Sequence, residues 1–438
     1  MAHIQRGLFR AALLFTCLFS GVHSAGATEF QQWLDGMYPT AAKQGVSRAV
    51  WDAAFTGVTE PDLVVLEKAA WQPEFKTEIW DYLDSRANSI KAREGRRQWA
   101  LHRTVLDEVS DRFGVDSAIL LAIWSMESNY GAVLAQPSRL HYVPQALATL
   151  AWKDNKRRKY ATAQLIAALK IFAAGDVEKE NFTGSWAGAM GQTQFIPTSY
   201  LAYGVDMDHD GRRDIWHSIP DALGTAASLL QHNKWRSGKP WGFEAAVATG
   251  KKVDLKKYEG ETMTLGEWSR LGMRRPDGSQ FPFQGERAEL KLPAGAQGPA
   301  FLLLKNFFVI KRYNNADAYA LAVGLLADYI RGRGGVTTPW PRPAGSLGFQ
   351  QKLDLQQLLS ELGNYDGKID GVIGSGSREA IRDFQEQNGL PQDGEPSTAL
   401  LGQLKKAVKQ AKQNNGGRIY VKPLETRAKS VPTLQEVK

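Results

Sequence analysis

Cysteine is nearly absent from this chain of 438 residues, and Cys17 is the only one. A fold stapled by disulfides is therefore excluded, and the chain must fold around ordinary hydrophobic cores. The composition, with 43% hydrophobic and 23% charged residues, is that of a globular protein. The length indicates about two or three domains. The lack of histidine and cysteine clusters argues against a zinc site.

Long apolar runs are also scarce. The run "AALLFTCLFSGV" near the N-terminus is too short to span a membrane comfortably, and no later stretch is long enough. The run follows Arg6 and Arg10 and precedes small residues, with an A-x-A cleavage site at residues 25–27. This pattern is typical of a secretory signal peptide. We therefore predict a signal peptide over residues 1–27 and an exported, periplasmic protein whose mature form has no transmembrane span.

The single cysteine raises the question of a lipid anchor. Cys17 ends the stretch "LFTC", which resembles a lipoprotein cleavage box. The threonine before the cysteine fits that box poorly, however. We therefore expect no lipid anchor through Cys17.

Acidic residues are outnumbered by basic ones, 46 to 54, which gives a formal net charge of +8. Without the predicted signal peptide, which carries two arginines and no acidic residue, the charge is +6. A basic exported protein suits an anionic polymer such as the cell wall, or a lipid surface. The alternative is a charge that only keeps the protein soluble. Nucleic-acid binding fits an exported chain poorly.

The apolar pattern divides the chain into segments. Apolar residues recur every three or four positions through residues 30–235, which predicts helices. Residues 240–310 differ, because the stretch "FLLLKNFFVIKRY" is continuous, apolar and aromatic and indicates a strand. After the helix "ADAYALAVGLLADYI", residues 332–347 are rich in glycine and proline and predict a flexible linker. Residues 348–406 predict a compact helical unit, and residues 407–438 are polar and basic, so we expect them to be disordered.

One glutamate stands on the apolar face of a predicted helix. In "LLAIWSMESNYG", Glu127 follows Ile123 and Trp124 at helical spacing, so all three share a face. Ionised carboxylates are rarely buried without a partner. Two interpretations remain open: a buried ion pair, or a carboxyl group that stays protonated near neutral pH and acts as a general acid.

A glycine-rich stretch, "GSWAGAMGQTQFIPTSY" at residues 184–200, has a composition that suits a sugar. Its glycines allow a ligand to approach the backbone closely. Ser185 and Gln194 supply hydrogen-bonding groups, and Phe195 supplies a flat apolar face. Trp186 is the tryptophan that we expect nearest to a bound sugar. The alternative interpretation is a helix crossing of small residues followed by a loop.

The stretch "DMDHDGRRDIWH", residues 206–217, resembles an EF-hand loop. Its acidic candidates for calcium ligands are Asp206, Asp208, Asp210 and Asp214. However, His217 occupies the last position of the loop, where a bidentate glutamate is expected. We therefore predict a loop of Asx turns without a bound metal, with a calcium site as the alternative.

Three motifs, "AIWSMESNYG", "GSWAGAMGQTQFIPTSY" and "IKRYNNADAYALAVG", together resemble the lytic murein transglycosylase B family. The stretch "NYDGKIDGVIGSGSREAIRDFQEQNGLPQDG" is similar to the small peptidoglycan-binding domain of cell-wall enzymes. The resemblance implies an α+β, mainly helical protein with a lysozyme-like catalytic domain over residues 28–331. A small helical peptidoglycan-binding domain over residues 348–406 follows the linker.

The resemblance also implies an activity. Members of this family cleave the β-1,4 bond between N-acetylmuramic acid (MurNAc) and N-acetylglucosamine (GlcNAc) without water, leaving 1,6-anhydro-MurNAc ends. The implied partner is the glycan strand of peptidoglycan, and no cofactor is expected. Glu127 matches the single catalytic glutamate of the family. The implied substrate contacts are Ser185, Gln194, Phe195, Asn314 and Tyr319, together with the arginine pair Arg157 and Arg158.

The inventory of carboxylates is compatible with this activity. Ordinary glycosidases need two carboxylates, whereas only Glu127 lies on an apolar face beside a stretch that suits a sugar. Glu74 and Glu108 are the other upstream candidates, and we expect both to be structural. A hydrolytic muramidase on the same scaffold, or an inactive scaffold that binds the cell wall, remain as alternatives.

Overall fold

The computed structural model describes residues 25–70 and 77–414, and most of these residues are helical. The mainly helical α+β fold predicted from the sequence is confirmed. The α-helices are, in chain order, α1 (Ala25–Lys43), α2 (Arg48–Phe55), α3 (Leu63–Ala70), α4 (Ile79–Arg86), α5 (Ser89–Leu101), α6 (Arg103–Phe113), α7 (Ser117–Ser128), α8 (Val143–Lys153), α9 (Arg158–Ala173), α10 (Pro197–Tyr203), α11 (Ile219–His232), α12 (Leu265–Leu271), α13 (Lys305–Ile310), α14 (Asp317–Ile330), α15 (Phe349–Glu361), α16 (Ser375–Gln387) and α17 (Thr398–Asn414). None of the helices in these ranges is both long and apolar enough to cross a membrane.

The strands form two antiparallel sheets. They are β1 (His141–Tyr142), β2 (Thr183–Gly184), β3 (Gly242–Val247), β4 (Thr262–Thr264), β5 (Met273–Arg274), β6 (Arg287–Lys291) and β7 (Ala300–Leu303). Strands β1 and β2 pair with each other, and the other five form a sheet in the order β4-β6-β7-β3-β5. The larger sheet has its own apolar core, in which Trp268 is fully buried.

Helix α7 lies at the centre of the helical domain. Every residue from Ser117 to Ser125 is buried, which explains why its sequence is apolar on all sides. Helix α14 packs antiparallel to α7, and polar contacts join the two helices at both ends. At one end the Tyr319 hydroxyl donates to Glu127, and at the other end the Arg331 guanidinium donates to Asp116, the N-cap of α7.

The C-terminal domain consists of helices α15 to α17 around a separate apolar core. Leu355 and Leu359 of α15 meet Ile381 and Phe384 of α16 in this core, as the helical spacing of these residues predicts. A buried amide supports the loop between the two helices: the Gln356 Oε1 atom accepts hydrogen bonds from two successive backbone N–H groups of that loop, at 3.0 and 2.7 Å.

The segment between the two domains has no helix or strand, as predicted, and part of it contacts the catalytic domain. The Glu244 carboxylate accepts hydrogen bonds from the backbone N–H groups of Thr337 and Thr338, each at 2.7 Å. Trp340 stacks on Phe301 of β7, with ring centroids 6.4 Å apart. These contacts attach part of the segment to the catalytic domain, and the flexibility of the linker stays a prediction.

Two expectations need correction, and others lie outside the described residues. The stretch 301–313 is only in part a strand, since β7 ends at Leu303 and α13 follows at once. Helix α17 continues to Asn414, so the first residues of the predicted disordered tail are helical. Residues 1–24, with Cys17 and most of the predicted signal peptide, are not described, nor are Glu74 and residues 415–438.

Gly324 of α14 offers a test of the packing between helix and sheet. A methyl group there would overlap the buried ring of Trp241, which is held between Phe301 and Phe307. We expect Gly324→Ala to lower the free energy of unfolding by about 1–3 kcal/mol through overpacking. Urea unfolding would measure this change.

The control is Gly36→Ala on the exposed side of α1, where no atom lies within 4 Å of the new methyl group. It should stabilise the protein by up to about 1 kcal/mol, because alanine favours the helix. A Gly324→Ala protein as stable as the wild type would show that Trp241 can move aside.

Candidate active site

Glu127 stands in the last turn of α7, directly after the buried stretch of that helix. Its Oε1 atom accepts a hydrogen bond of 2.6 Å from the Tyr319 hydroxyl. Burial raises the pKa of Glu127 from 4.5 to about 7, while the Tyr319 hydrogen bond and the charge of Arg86 lower it. The carboxyl group is therefore part protonated near neutral pH. Of the two interpretations left open by the sequence, the ion pair to Glu127 is not found among the described residues, and a part-protonated carboxyl group is able to act as a general acid.

The backbone turns away sharply after Glu127. Asn129, Tyr130 and Gly131 all have positive φ angles, of 53°, 57° and 81°. The side chain of Asn129 is held by Lys91, whose Nζ atom lies 2.5 Å from its Oδ1 atom. This turn ends the helix one residue after the glutamate, so the carboxyl group lies at the edge of the helical core.

Gln192 connects α7 to the glycine-rich loop. Its Oε1 atom accepts a hydrogen bond from Trp124 Nε1 at 3.0 Å, and its Nε2 atom donates to the backbone oxygen of Trp216 at 3.1 Å. The Ser128 hydroxyl donates to the backbone oxygen of Gln192 at 2.5 Å. Both the oxygen and the nitrogen of the Gln192 side chain form hydrogen bonds within the protein, so Gln192 fixes the loop against α7.

The glycine-rich loop presents two of the predicted substrate contacts. The Ser185 hydroxyl oxygen accepts a hydrogen bond from the Ala189 N–H at 3.0 Å, which leaves the hydroxyl proton free to donate. Gln194 has a φ of 52°, and its Nε2 atom donates to the Gly191 oxygen at 2.9 Å, which leaves its carbonyl oxygen for a ligand. A side chain at Gly191 would meet the backbone of Ile215. The loop therefore needs its glycine for close packing.

Phe195 has a different place from the one expected. Its side chain is only 3% exposed and packs edge-on against Tyr313, with ring centroids 5.3 Å apart. The Tyr313 hydroxyl donates to the backbone oxygen of Thr193 at 2.6 Å. The exposed stacking face expected of Phe195 is thus corrected: its ring supports Tyr313 from behind.

Three aromatic hydroxyls surround the carboxyl group. Burial raises the pKa values of Tyr82, Tyr313 and Tyr319, and the charge of Glu127 raises them further. Tyr82 and Tyr313 are not among the site residues predicted from the sequence. Tyr313 stands beside Asn314 in the third motif, which could have identified it, whereas Tyr82 lies on α4 without any motif. Asn314 is exposed, so its side-chain amide can reach a ligand.

Arg157 and Arg158 make different contacts. The Nη1 atom of Arg157 donates a hydrogen bond of 2.5 Å to the Oδ2 atom of Asp154, and its guanidinium lies 5.7 Å from the centre of the Trp186 ring. Arg158 donates to the backbone oxygens of Ala151 and Trp152 at 3.1 and 3.2 Å. Arg158 therefore caps the end of α8 and remains exposed, and its expected role as a substrate contact stays a prediction. Arg157 and Trp186 form a partly buried pair of cation and ring.

No second carboxylate accompanies Glu127 among the described residues that shift its pKa. Glu108 is exposed on α6. Glu74 lies outside the described residues. The described part of the site thus contains one carboxyl group and several neutral hydrogen-bonding groups.

The loop at residues 206–217 brings three of its four candidate ligands together. Carboxylate oxygens of Asp206, Asp208 and Asp210 lie within 4.8 Å of one another, and Asp206 Oδ1 is buried without a hydrogen-bond partner. Asp214 instead accepts hydrogen bonds from two backbone N–H groups, and its Oδ2 atom lies 3.0 Å from the Nδ1 atom of His217. The three aspartates could contribute ligands to a calcium ion, but the glutamate that normally completes an EF-hand loop is replaced by His217.

Comparison with protein families matches both parts of the chain. Residues 29–328 match the family described as transglycosylase SLT domain. Residues 351–404 match the putative peptidoglycan binding domain.

Comparison with individual proteins gives similar relatives. The crystal structure of SltB3 from Pseudomonas aeruginosa in complex with NAG-anhNAM-pentapeptide is similar with a TM-score of 0.68, at 44% identity, and covers 86% of this chain and 99% of that one. SltB1 from the same organism has a TM-score of 0.54 at 25% identity, with coverage of 70% and 100%. Membrane-bound lytic murein transglycosylase B of Escherichia coli (strain K12) is 28% identical over 234 residues, which are 53% of this chain and 62% of that protein's length.

The raised pKa of Glu127 predicts a dependence of stability on pH. Between about pH 4.5 and 7 the unfolded chain loses this proton and the folded chain keeps it, so the free energy of unfolding falls as the pH rises. Above about pH 7 the free energy of unfolding no longer falls for this reason, and its total loss relative to low pH is about 3 kcal/mol. Glu127→Gln has no such proton. We therefore expect it to be more stable than the wild type at about pH 8 and to lose that advantage near pH 4.5.

Urea unfolding at both pH values would test this prediction. Glu108→Gln, on the exposed side of α6, is the control and should differ from the wild type equally at both. An equal difference at both pH values for Glu127→Gln would contradict the raised pKa.

Removal of divalent cations tests the loop at residues 206–217. Because His217 replaces the completing glutamate, we expect a chelator to leave the melting temperature and the activity nearly unchanged. Differential scanning calorimetry with calcium and with a chelator measures this directly. A large rise in melting temperature with calcium, abolished by Asp206→Asn, would instead mean that the three aspartates suffice to bind the ion.

Proposed function

We propose an activity for this chain from its family and its site residues. The chain belongs to the transglycosylase SLT domain family. Its proposed activity is that of an exported peptidoglycan lytic transglycosylase. Its proposed substrate is the glycan strand, cleaved at the bond from MurNAc to GlcNAc. The relatives at 44% and 28% identity, named as SltB3 and as a lytic murein transglycosylase, support this proposal.

The observation that carries the proposal is the buried Glu127 carboxyl group with a pKa of about 7. A general acid works best when its pKa lies near the working pH, since the group is then protonated and still able to release its proton. Because the Tyr319 hydroxyl already donates to Oε1, the acidic proton belongs on Oε2. The acid is thus aimed by a hydrogen bond.

The proposed reaction uses this one carboxyl group twice. Glu127 donates its proton to the glycosidic oxygen as the bond to the muramyl carbon breaks. The resulting carboxylate, stabilised by the Tyr319 hydroxyl, then accepts the proton of the muramyl C6 hydroxyl as that oxygen closes the 1,6-anhydro ring. No water enters, and Glu127 ends protonated for the next cycle.

The remaining polar groups supply the contacts that a sugar needs. We assign substrate hydrogen bonds to the Ser185 hydroxyl, the Gln194 carbonyl oxygen and the Asn314 amide, whose hydrogen-bonding capacity the protein leaves in part unused. Trp186 offers an aromatic face, with Arg157 beside it. Tyr313 lines the site beside Asn314.

A hydrolytic muramidase is the alternative on the same scaffold. Such an enzyme needs a second carboxylate that holds a water molecule or attacks the sugar. Since none accompanies Glu127 in the described part of the site, the non-hydrolytic reaction is favoured. An inactive scaffold is disfavoured by the protonated carboxyl group itself, because burying it costs stability.

The proposed place of action is outside the cytoplasm, where peptidoglycan lies. The peptidoglycan-binding domain at residues 351–404 would hold the enzyme on its insoluble substrate. Export through a signal peptide, a periplasmic location and the absence of a lipid anchor at Cys17 are further parts of this proposal.

Mass spectrometry of the products tests the reaction. Digestion of purified sacculi should release muropeptides that are each lighter by one water than hydrolysis products, since the C6 hydroxyl replaces water. Glu127→Gln should bind sacculi and lose turnover by on the order of a thousandfold or more, because it can neither give nor take the proton.

Glu108→Gln is the matched control, and it should keep wild-type turnover. Reducible MurNAc ends as the main product would support the muramidase instead. Substantial turnover by folded Glu127→Gln would move the chemistry to another residue.

A further inference from the structure

Four charged side chains join the C-terminal domain and the interdomain segment to α4 of the catalytic domain. Asp84 accepts from Arg342 at 2.8 Å and from Lys352 at 3.0 Å. Asp81 accepts from Lys352 at 2.8 Å and from Arg342 at 3.4 Å. Each cation therefore contacts both carboxylates, so the four groups form a closed network rather than separate pairs.

This network is not an ordinary surface feature. The side chains of Arg342, Lys352 and Asp84 are 16%, 14% and 13% exposed, and only Asp81 reaches 45%. Exposed ion pairs contribute little, but removing one side of a partly buried network leaves uncompensated charges with little water around them. The contact therefore resists separation of the two domains.

Helix α4 depends on its contacts with the rest of the protein for its position. It has only eight residues, and Leu83 is the one that is buried. A helix of this length is not stable by itself and depends on the contacts of its faces. The i, i+3 pair Asp81 and Asp84 shares one face, so the charge network anchors the helix along one whole side.

The opposite side of α4 lies near the Glu127 carboxyl group, since the charge of Glu127 raises the pKa of Tyr82 and the charge of Arg86 lowers the pKa of Glu127. Tyr82 and Arg86 share this side, with the Arg86 guanidinium 6.0 Å from the centre of the Tyr82 ring. The helix packs on α14, which carries Tyr319 and its hydrogen bond to Glu127. Movement of α4 would thus change both the packing of α14 and the surroundings of the acid.

We propose that Arg342 and Lys352 are positioning residues for the active site. By docking the C-terminal domain on Asp81 and Asp84, they hold α4 in place. The Tyr82 side chain of α4 is thereby kept next to Glu127. The C-terminal domain is then a structural part of the catalytic site as well as a module that binds the cell wall. This inference rests on the proposed lytic transglycosylase activity.

A pair of full-length variants tests this docking. Arg342→Met with Lys352→Met keeps the length of the side chains and removes both charges. We expect amide hydrogen exchange in residues 79–86 to become faster and kcat on soluble glycan strands to fall by about tenfold, since a small misplacement near the chemistry is costly. Arg342→Lys with Lys352→Arg keeps the charges and should restore both slow exchange and kcat in large part.

The control removes a charge in the same domain away from α4. Arg378 pairs with Glu395 at 2.5 Å inside the C-terminal domain, and Arg378→Met should leave the exchange in residues 79–86 and kcat unchanged. Binding of every variant to sacculi by sedimentation separates lost catalysis from lost retention.

The outcomes of these measurements either support or overturn the proposal. Faster exchange in α4 together with a lower kcat, at unchanged sacculus binding, supports the proposal. Unchanged exchange, or faster exchange with wild-type kcat, overturns it. If the wild type itself releases no anhydro products, the proposed function fails instead, while the exchange measurement still reports whether the network holds α4.

Discussion

Burial of the Glu127 carboxyl group raises its pKa to about 7, and much of the surrounding structure is needed to maintain this burial. Desolvation alone would give an acid with no preferred direction. The Tyr319 hydroxyl adds direction, because it occupies one carboxyl oxygen and leaves the other for the reaction. The same hydrogen bond stabilises the carboxylate once the proton has left. The site thus balances two opposed effects on a single group, which the proposed roles of acid and then base require.

The neighbouring loops hold the Glu127 carboxyl group in place. Gln192 uses both ends of its amide to attach the glycine-rich loop to α7, and Phe195 lies behind Tyr313. The groups left with spare hydrogen-bonding capacity are those of Ser185 and Gln194 on the same loop. A rigid support with a few free polar groups at its edge is the arrangement that precise substrate binding requires.

The sequence was most informative where local spacing and chemistry coincide. The raised pKa of Glu127 was predictable because a carboxyl group on an apolar face is costly to ionise, and the three motifs correctly predicted the family. It was least informative where partners are distant. Nothing in the composition of the interdomain segment indicates that Arg342 contacts Asp84, which lies 258 residues earlier. Tyr82 is missed for the same reason, since it reaches the site from a short helix without a motif. Phe195 is placed wrongly because a motif does not distinguish a ring that touches a ligand from one that supports its neighbour.

The polar contacts at both ends of the α7 and α14 pair have a consequence for the kinds of sequence change that the protein can accept. The contacts lie eleven positions apart on α7, at Asp116 and Glu127, and twelve apart on α14, at Tyr319 and Arg331. Inserting one residue between them would rotate every later side chain of that helix by about 100° and move it by about 1.5 Å. Both contacts could not then form together. Substitutions on the outer faces of these helices should be accepted, whereas insertions and deletions should not. The distance between the two polar contacts thus fixes the length of the helices that they join.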